Sequence, residues 1–340
     1  MTLCRQVGTT ALMKKLVVEK DLDQLRYATR CYGVIAAWSG AGLFKALADR
    51  QPHAVTDLPG ETRAIRQTAS ILAHAGLLVC HGDTIALTGA GHGLFESGGL
   101  NLINAESALG DLSRLDDVLA LGGPAQAQDG SSRVTEGGVR EQDPEGARSF
   151  MGMLYRRSEN SAAEVSRWLQ QKLPQGAHVL DLGGGHGRYG DELVKAGYRV
   201  TLYDRPICVQ IAQERYGDTL NYLRGDFMSD PLGGPYDAVL LSNIVHGLGP
   251  DENEALFKRL NEVMNPGALL VLKDMFIGEH RAYPVEAAFF NLTMLMYTRE
   301  GRSYTLADMA KLYGAAGFTH NDHIYVPDNS FSLLIAQKQS

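Results

Sequence analysis

From residue 178 onward, short apolar runs alternate with stretches of helical period, and this alternation constrains the fold more than any other feature. The runs are 178–181, 199–203, 220–223, 238–241 and 268–272, and between them lie helical patterns at 189–196, 207–216 and 253–264. A strand can reach a parallel neighbour only by crossing over, so alternating strands and helices build a parallel sheet with right-handed crossovers. The last two runs, 323–326 and 331–336, are separated only by Pro327, Asp328, Asn329 and Ser330. That gap is too short for a crossover and predicts an antiparallel hairpin.

The N-terminal part has another texture. Leu43, Phe44, Leu47 and Ala48 recur at helix spacing, 62–72 gives a second helix stopped near Gly76, and 77–80 and 84–88 read as strands joined at His81, Gly82 and Asp83. Helix, helix and a two-stranded wing is the winged-helix order. Such a wing often serves DNA, but the second helix carries only Arg63 and Arg66 and the chain has a net charge of −7. Phosphate binding needs a concentrated basic surface, so no nucleic-acid partner is expected. The apolar stretch 31–44 is broken by Gly33, Ser39 and Gly40 and is shorter than the roughly 20 residues of a membrane span, so a buried helix is expected there and no membrane partner.

At 340 residues the chain exceeds one ordinary core. We expect a winged-helix domain over 1–100, a linker with helices contributing to a substrate pocket over 101–175, and a catalytic domain over 176–340. Within the middle part, 121–146 is rich in Gly, Ser, Gln and acid and reads as a loop, and 144–173 reads as one long helix carrying Phe150, Met153, Leu154, Val165 and Trp168. The fold class is therefore α/β: a Rossmann-like, mostly parallel sheet with a C-terminal antiparallel hairpin, preceded by a mainly helical winged-helix domain. Cys4, Cys31, Cys80 and Cys208 are far apart and the start lacks an apolar leader, which suits a cytoplasmic protein.

Chemistry concentrates where the first strand of the alternating part ends. Asp181 and Leu182 run into Gly183, Gly184, Gly185, His186 and Gly187. Glycines let the backbone approach a ligand closely, and the next helix offers unpaired N–H groups. Gly185, Gly187 and Gly190 also satisfy a literal G-x-G-x-x-G. Asp204 closes the second strand, where an acid grips ribose hydroxyls. To this point a nicotinamide dinucleotide and S-adenosylmethionine both fit. Asp181 favours the second, because a carboxylate repels a pyrophosphate and attracts a sulfonium and an ammonium. Asp226 and Phe227 after the third strand add an acid and an apolar face for adenine, and the closing hairpin agrees.

The segment 179–187 resembles motif I of class I methyltransferases. Tyr203–Pro206, Gly225–Phe227 and Asn265–Gly267 resemble the later motifs of the plant caffeate-type and bacterial small-molecule O-methyltransferases, and 42–47, 72–78 and 87–88 resemble their dimerisation winged helix. The resemblance covers nearly the whole chain. It implies a homodimer that uses S-adenosylmethionine, held by Asp181, Gly183, Gly185, Asp204, Asp226, Phe227 and Ser242. The stretch 289–297 reads equally as core or as resembling the family's substrate-wall helix, where Asn291 and Met294 match lining positions; with Met153 and Phe290 they are the residues expected to line a small-molecule acceptor. His246 stands at the place of the family's general base, and Asp274 at that of a glutamate that orients it. The usual Asp and Trp after the histidine are Gly247 and Leu248, the usual lysine four residues before it is Ser242, and a second usual glutamate is Ser303.

The residues themselves support the same pair, since His246 and Asp274 follow adjacent strands at the edge where open α/β sheets bind ligands. Imidazole has the pKa to take a hydroxyl proton near neutrality, and a carboxylate fixes its tautomer. The other reading is a loop histidine that caps the next helix. No metal is expected: no carboxylate cluster for one is visible, and His320 and His323 lack a third ligand nearby. The expected activity is methyl transfer to a hydroxyl of an aromatic or polyketide-like molecule. Carbon methylation, an enzyme that binds the cofactor without transferring its methyl, and a ligand-sensing winged-helix regulator are the alternatives.

Overall fold

A computed structural model describes residues 19–96, 113, 115–124, 143–279, 283–326 and 331–339. Contacts divide the chain into two units, Met1–Leu115 and Asp116–Ser340. Among the described residues no helix is long and apolar enough to cross a membrane.

In the first unit, helices α1 (Glu19–Gly40), α2 (Leu43–Ala46), α3 (Thr62–His74) and α4 (Gly89–Glu96) accompany a small antiparallel sheet. Its strands are β1 (His53–Ala54), β2 (Leu78–His81) and β3 (Thr84–Leu87), in the order β1-β3-β2. The expected helix and hairpin are present, and β1 is an additional strand. The stretch 31–44 is not one buried helix. Gly42 takes φ +72°, a left-handed conformation that ends the first helix before the second begins. Trp38, Leu43 and Phe44 bury themselves against Leu47, Ile65, Leu72 and Ile85, while much of α1 stays half-exposed. Trp38 satisfies its indole N–H by donating to Thr68 Oγ1 at 2.8 Å.

The second unit opens with α5 (Leu115–Leu121), α6 (Pro144–Arg157) and α7 (Glu159–Leu169). Then come β4 (His178–Leu182), α8 (Arg188–Lys195), β5 (Arg199–Asp204), α9 (Pro206–Tyr216), β6 (Asn221–Arg224), β7 (Tyr236–Ser242), α10 (Pro250–Glu262) and β8 (Met264–Asp274). The chain closes with α11 (Val285–Tyr297), α12 (Leu306–Ala315), β9 (Phe318–Val326) and β10 (Phe331–Lys338). The sheet order is β6-β5-β4-β7-β8-β10-β9. It is parallel through β8, and β10 is antiparallel to both of its neighbours. This is the expected Rossmann-like sheet with its closing hairpin. The strands are apolar on both faces because helices cover both. Leu180, Leu182, Leu241 and Leu272 pack on the side of α10 and α12, whereas Val179, Leu240, Val271 and Leu333 pack on the side of α7 and α8.

Two further expectations are corrected. The single helix over 144–173 is two, broken at Ser158, whose Oγ donates back to the Tyr155 carbonyl at 3.0 Å and competes with the helical ladder. Strand β8 begins at Met264 rather than 268, because Asn265, Pro266 and Gly267 are absorbed as an irregularity in its pairing with β7. His320 and His323 lie within β9, and His320 Nδ1 meets Tyr313 Oη at 3.0 Å. Most of the expected loop over 121–146, the hairpin turn at Pro327–Ser330 and Cys4 lie outside the described residues.

Candidate active site

The strand order reverses between β4 and β7, and the crevice at such a point, beyond the C-terminal strand ends, is where open α/β sheets take ligands. The chain leaves β4 through the glycine turn. Gly183, Gly185 and Gly187 have φ of +69°, +48° and +77°, which other residues adopt only at a cost. A Cβ in the turn would also crowd its neighbours. One on Gly183 would strike the Ile244 side chain, and one on Gly185 would stand 3.0 Å from Met151 Sδ. Gly183 N–H donates to the Tyr203 carbonyl at 2.8 Å, fixing the turn against β5.

Two carboxylates flank the turn in different ways. Asp204 accepts from Gly185 N–H at 2.8 Å through Oδ2 and from Arg205 N–H at 2.7 Å through Oδ1. It is half-buried, and Cys208 adds a third hydrogen bond to it. Burial raises its pKa despite these backbone bonds. Asp181 is fully buried, and neither of its oxygens has a hydrogen-bond partner. Burial, then the charge of Asp204, pushes it up to about 7, and the nearby Gly190 amide only partly offsets this. His186, in the turn itself, is buried and pushed down to about 4 by burial and by Arg188, Arg215 and Lys273. The turn therefore carries no imidazolium at neutral pH. Ser242, across the crevice, has a buried Oγ without a partner.

Asp226 is exposed and shapes its own turn, with Oδ1 accepting from Met228 N–H at 2.8 Å. Phe227 is half-buried against the core. On the opposite side of the turn Met151, from α6, is 5% exposed and packs onto Gly185. The next turn of α6 presents Tyr155, with Arg188 and Arg215 guanidinium carbons each 3.7 Å from its ring centroid. This contact ties α6 to the helix that leaves the glycine turn.

His246 sits in a one-turn 3-10 segment, Val245–Gly247, after β7. Its Nδ1 lies 2.7 and 3.0 Å from the two oxygens of Asp274 at the end of β8. Burial alone would raise the Asp274 pKa. The charge and hydrogen bond of His246, with the Met275 N–H and Lys273, outweigh it and hold the carboxyl below its ordinary range. An ionised carboxylate only accepts, so Nδ1–H is directed at Asp274 and Nε2 is the ring nitrogen left to exchange a proton with a ligand. The His246 backbone is also held: its carbonyl accepts from Arg302 N–H at 2.8 Å. Asn253 Nδ2 donates to the Val245 carbonyl at 2.9 Å, and Tyr304 Oη to that of Leu248 at 2.6 Å.

Of the expected lining residues, Phe290 stands with its ring centroid 4.7 Å from that of His246, edge to face. Asn291 Oδ1 accepts from Ser303 N–H at 3.1 Å, and Ser303 Oγ donates to the Ala287 carbonyl at 3.0 Å. Ser303 thus braces α11 and puts no second carboxylate beside the histidine. Met294 is buried and Met153 half-buried. Met151, Asn253, Tyr304 and Lys273 were not singled out from sequence. Each looks like an ordinary helix or strand residue, and only the fold brings it to the strand ends.

The O-methyltransferase domain family model matches residues 131–319, more than half of the chain. The tetracenomycin polyketide synthesis 8-O-methyl transferase TcmO of Streptomyces glaucescens is 30% identical over 187 residues, covering 52% of this chain and 53% of that protein. The acetylserotonin O-methyltransferase of Gallus gallus is 34% identical over 146 residues, covering 41% of this chain and 42% of that protein. The chain thus spans about half the length of these curated relatives. Among solved structures, the mitomycin 7-O-methyltransferase MmcR superposes with a TM-score of 0.81 at 19% identity, over 97% of this chain and 100% of that one. A human N-acetylserotonin methyltransferase in complex with SAM gives 0.72 at 19%, over 96% and 100%.

Proposed function

The chain belongs to the O-methyltransferase domain family, and from that premise we propose that it methylates a hydroxyl of an aromatic or polyketide-like small molecule, with His246 as general base. The observation that carries the mechanism is the His246–Asp274 pair at 2.7 Å beside the glycine turn. The names of its relatives, a polyketide 8-O-methyl transferase among them, support the acceptor class.

The residues present fit S-adenosylmethionine. Asp181 is a buried carboxylate with no partner, suited to a cationic ligand, and Ser242 Oγ is a second unpaired buried group. A Cβ in the turn would crowd the neighbouring side chains where the backbone would meet the cofactor. Asp204 would hold ribose, Asp226 and Phe227 the adenine, and Asp181, Gly183, Gly185 and Ser242 the methionine end. When bound, the cofactor supplies a methyl group on a sulfonium, already a good leaving group.

The chain's own part is to position and to take a proton. Phe290 against the imidazole edge, with Met153, Asn291 and Met294, would orient an aromatic acceptor. Its hydroxyl would be placed at His246 Nε2, which takes the proton as the oxygen attacks. Asp274 then faces an imidazolium and stabilises it. Much of the acceleration comes from holding the two reactants in line.

Calorimetric titration with S-adenosylhomocysteine, followed by mass analysis of a phenol and naphthol panel incubated with S-adenosylmethionine, tests this reading. Binding and a mono-methylated product are expected. Tight binding of NADH instead, or cofactor binding with no product from any acceptor, would contradict it. Residues 1–100 we take as a winged-helix dimerisation domain, and the protein as a homodimer.

A further inference from the structure

Lys273 is the buried charge that the mechanism leaves unused. It is 7% exposed, yet its Nζ has only neutral partners: Asn243 Oδ1 at 2.8 Å and the face of Phe331, 4.8 Å from the ring centroid. Among the described residues no carboxylate comes within 4.0 Å of it in an ion pair. A buried ammonium is costly unless an opposite charge compensates it. Its head reaches the ligand-binding edge, because Asn243 is the residue that follows β7.

Its neighbours supply the second observation. Lys273 is in register with Ser242 on the adjacent strand, so the two side chains share a face of the sheet. That is the face of Leu240, Val271 and Leu333, against α7 and α8. Asp181 lies on it too, two residues on from Val179 in the same cluster. One face of the sheet edge thus holds a carboxylate with two unpartnered oxygens, an unpartnered hydroxyl and an ammonium whose direct partners are neutral. These charges complement an α-amino acid zwitterion.

Resting on the cofactor reading above, we propose that Lys273, with Ser242 Oγ beside it, takes the α-carboxylate of the cofactor's amino-acid end, while Asp181 takes its α-ammonium. The bond between Lys273 and Asn243 also holds Asn243, whose φ is +60°, in a left-handed turn. A purely structural brace is therefore the competing role, and the test has to separate the two.

The probe is calorimetry with two ligands, S-adenosylhomocysteine and its decarboxylated analogue, which keeps the amine. In Lys273→Met, affinity for S-adenosylhomocysteine should fall about ten- to a hundredfold, the usual worth of hydrogen bonds to a charged group. Affinity for the analogue should hardly change. Asp181→Asn should weaken both ligands alike. Should the methionine variant fail to melt cooperatively, Lys273→Gln keeps a polar head for Asn243 and should show the same selective loss. Equal weakening of both ligands by the Lys273 variants, or an unchanged affinity for S-adenosylhomocysteine, would overturn the proposal. Failure of the wild type to bind either ligand would instead overturn the cofactor reading itself.

Discussion

Among single residues, two carboxylates are placed in opposite situations. Asp274 has its partner, and its pKa is held below the ordinary 3.8. Its stabilising contribution is therefore present above that value and is lost as pH falls through the lower folded one. Replacing His246 by Ala should lower kcat by about 10²–10⁴ while cofactor binding persists, and Asp274→Asn should cost less because the imidazole remains. Steady-state rates with a phenolic acceptor check both, and a near wild-type rate for the alanine variant would remove the base from His246. Asp181 has no partner and is raised from 3.8 to about 7. The folded protein keeps that proton longer than the unfolded chain, so its contribution to stability is full below 3.8 and is lost as pH rises through about 7. A bound cation reverses the preference. Cofactor binding should therefore release a proton and tighten as pH rises through that window. Calorimetry in buffers of different ionisation enthalpy measures the release, which Asp181→Asn should abolish. Asp204→Ala should weaken S-adenosylhomocysteine by roughly 1.5–3 kcal/mol, the worth of hydrogen bonds to a charged acceptor.

At the scale of elements, the glycine turn and the helix packed on it decide whether the crevice forms. Gly183→Ala forces a left-handed alanine, roughly 1–2 kcal/mol, and drives a methyl into Ile244, one residue before the segment that carries His246. A lower melting temperature together with weaker S-adenosylhomocysteine binding is expected, and an unchanged melt would contradict the close approach. The central strands of this crevice were legible in the sequence because their middles are apolar on both faces, and β5, β7 and β8 end on Asp204, Ser242 and Asp274. The break at Ser158 was not, since the apolar period runs through it and only the Ser158–Tyr155 bond reveals the competition. Asn253 and Tyr304 were hidden for another reason. A polar residue on an amphipathic helix, or a tyrosine in a loop, looks solvated until the fold sets it against an orphan carbonyl. Lys273 was hidden by ending an apolar run, where a charge is read as the strand leaving the core.

At the scale of the whole molecule, the sheet and its closing hairpin follow from spacing alone, while assembly does not. On α1, Leu25, Tyr27 and Tyr32 are 40%, 66% and 39% exposed, an apolar cost that a second copy would relieve. Light scattering at micromolar concentration should give twice the mass of one chain, and a monomer mass would count against the dimer. In the proposed reaction a methyl group passes to an oxygen whose proton His246 removes. Its most direct test uses S-adenosylmethionine labelled with ¹³C in the methyl group, a phenolic polyketide acceptor, and product analysis by heteronuclear NMR for the wild type and His246→Ala. A labelled methoxy carbon is expected, formed rapidly by the wild type and slowly by the variant. A methyl group on ring carbon, or a methoxy product formed equally fast by both, would contradict it.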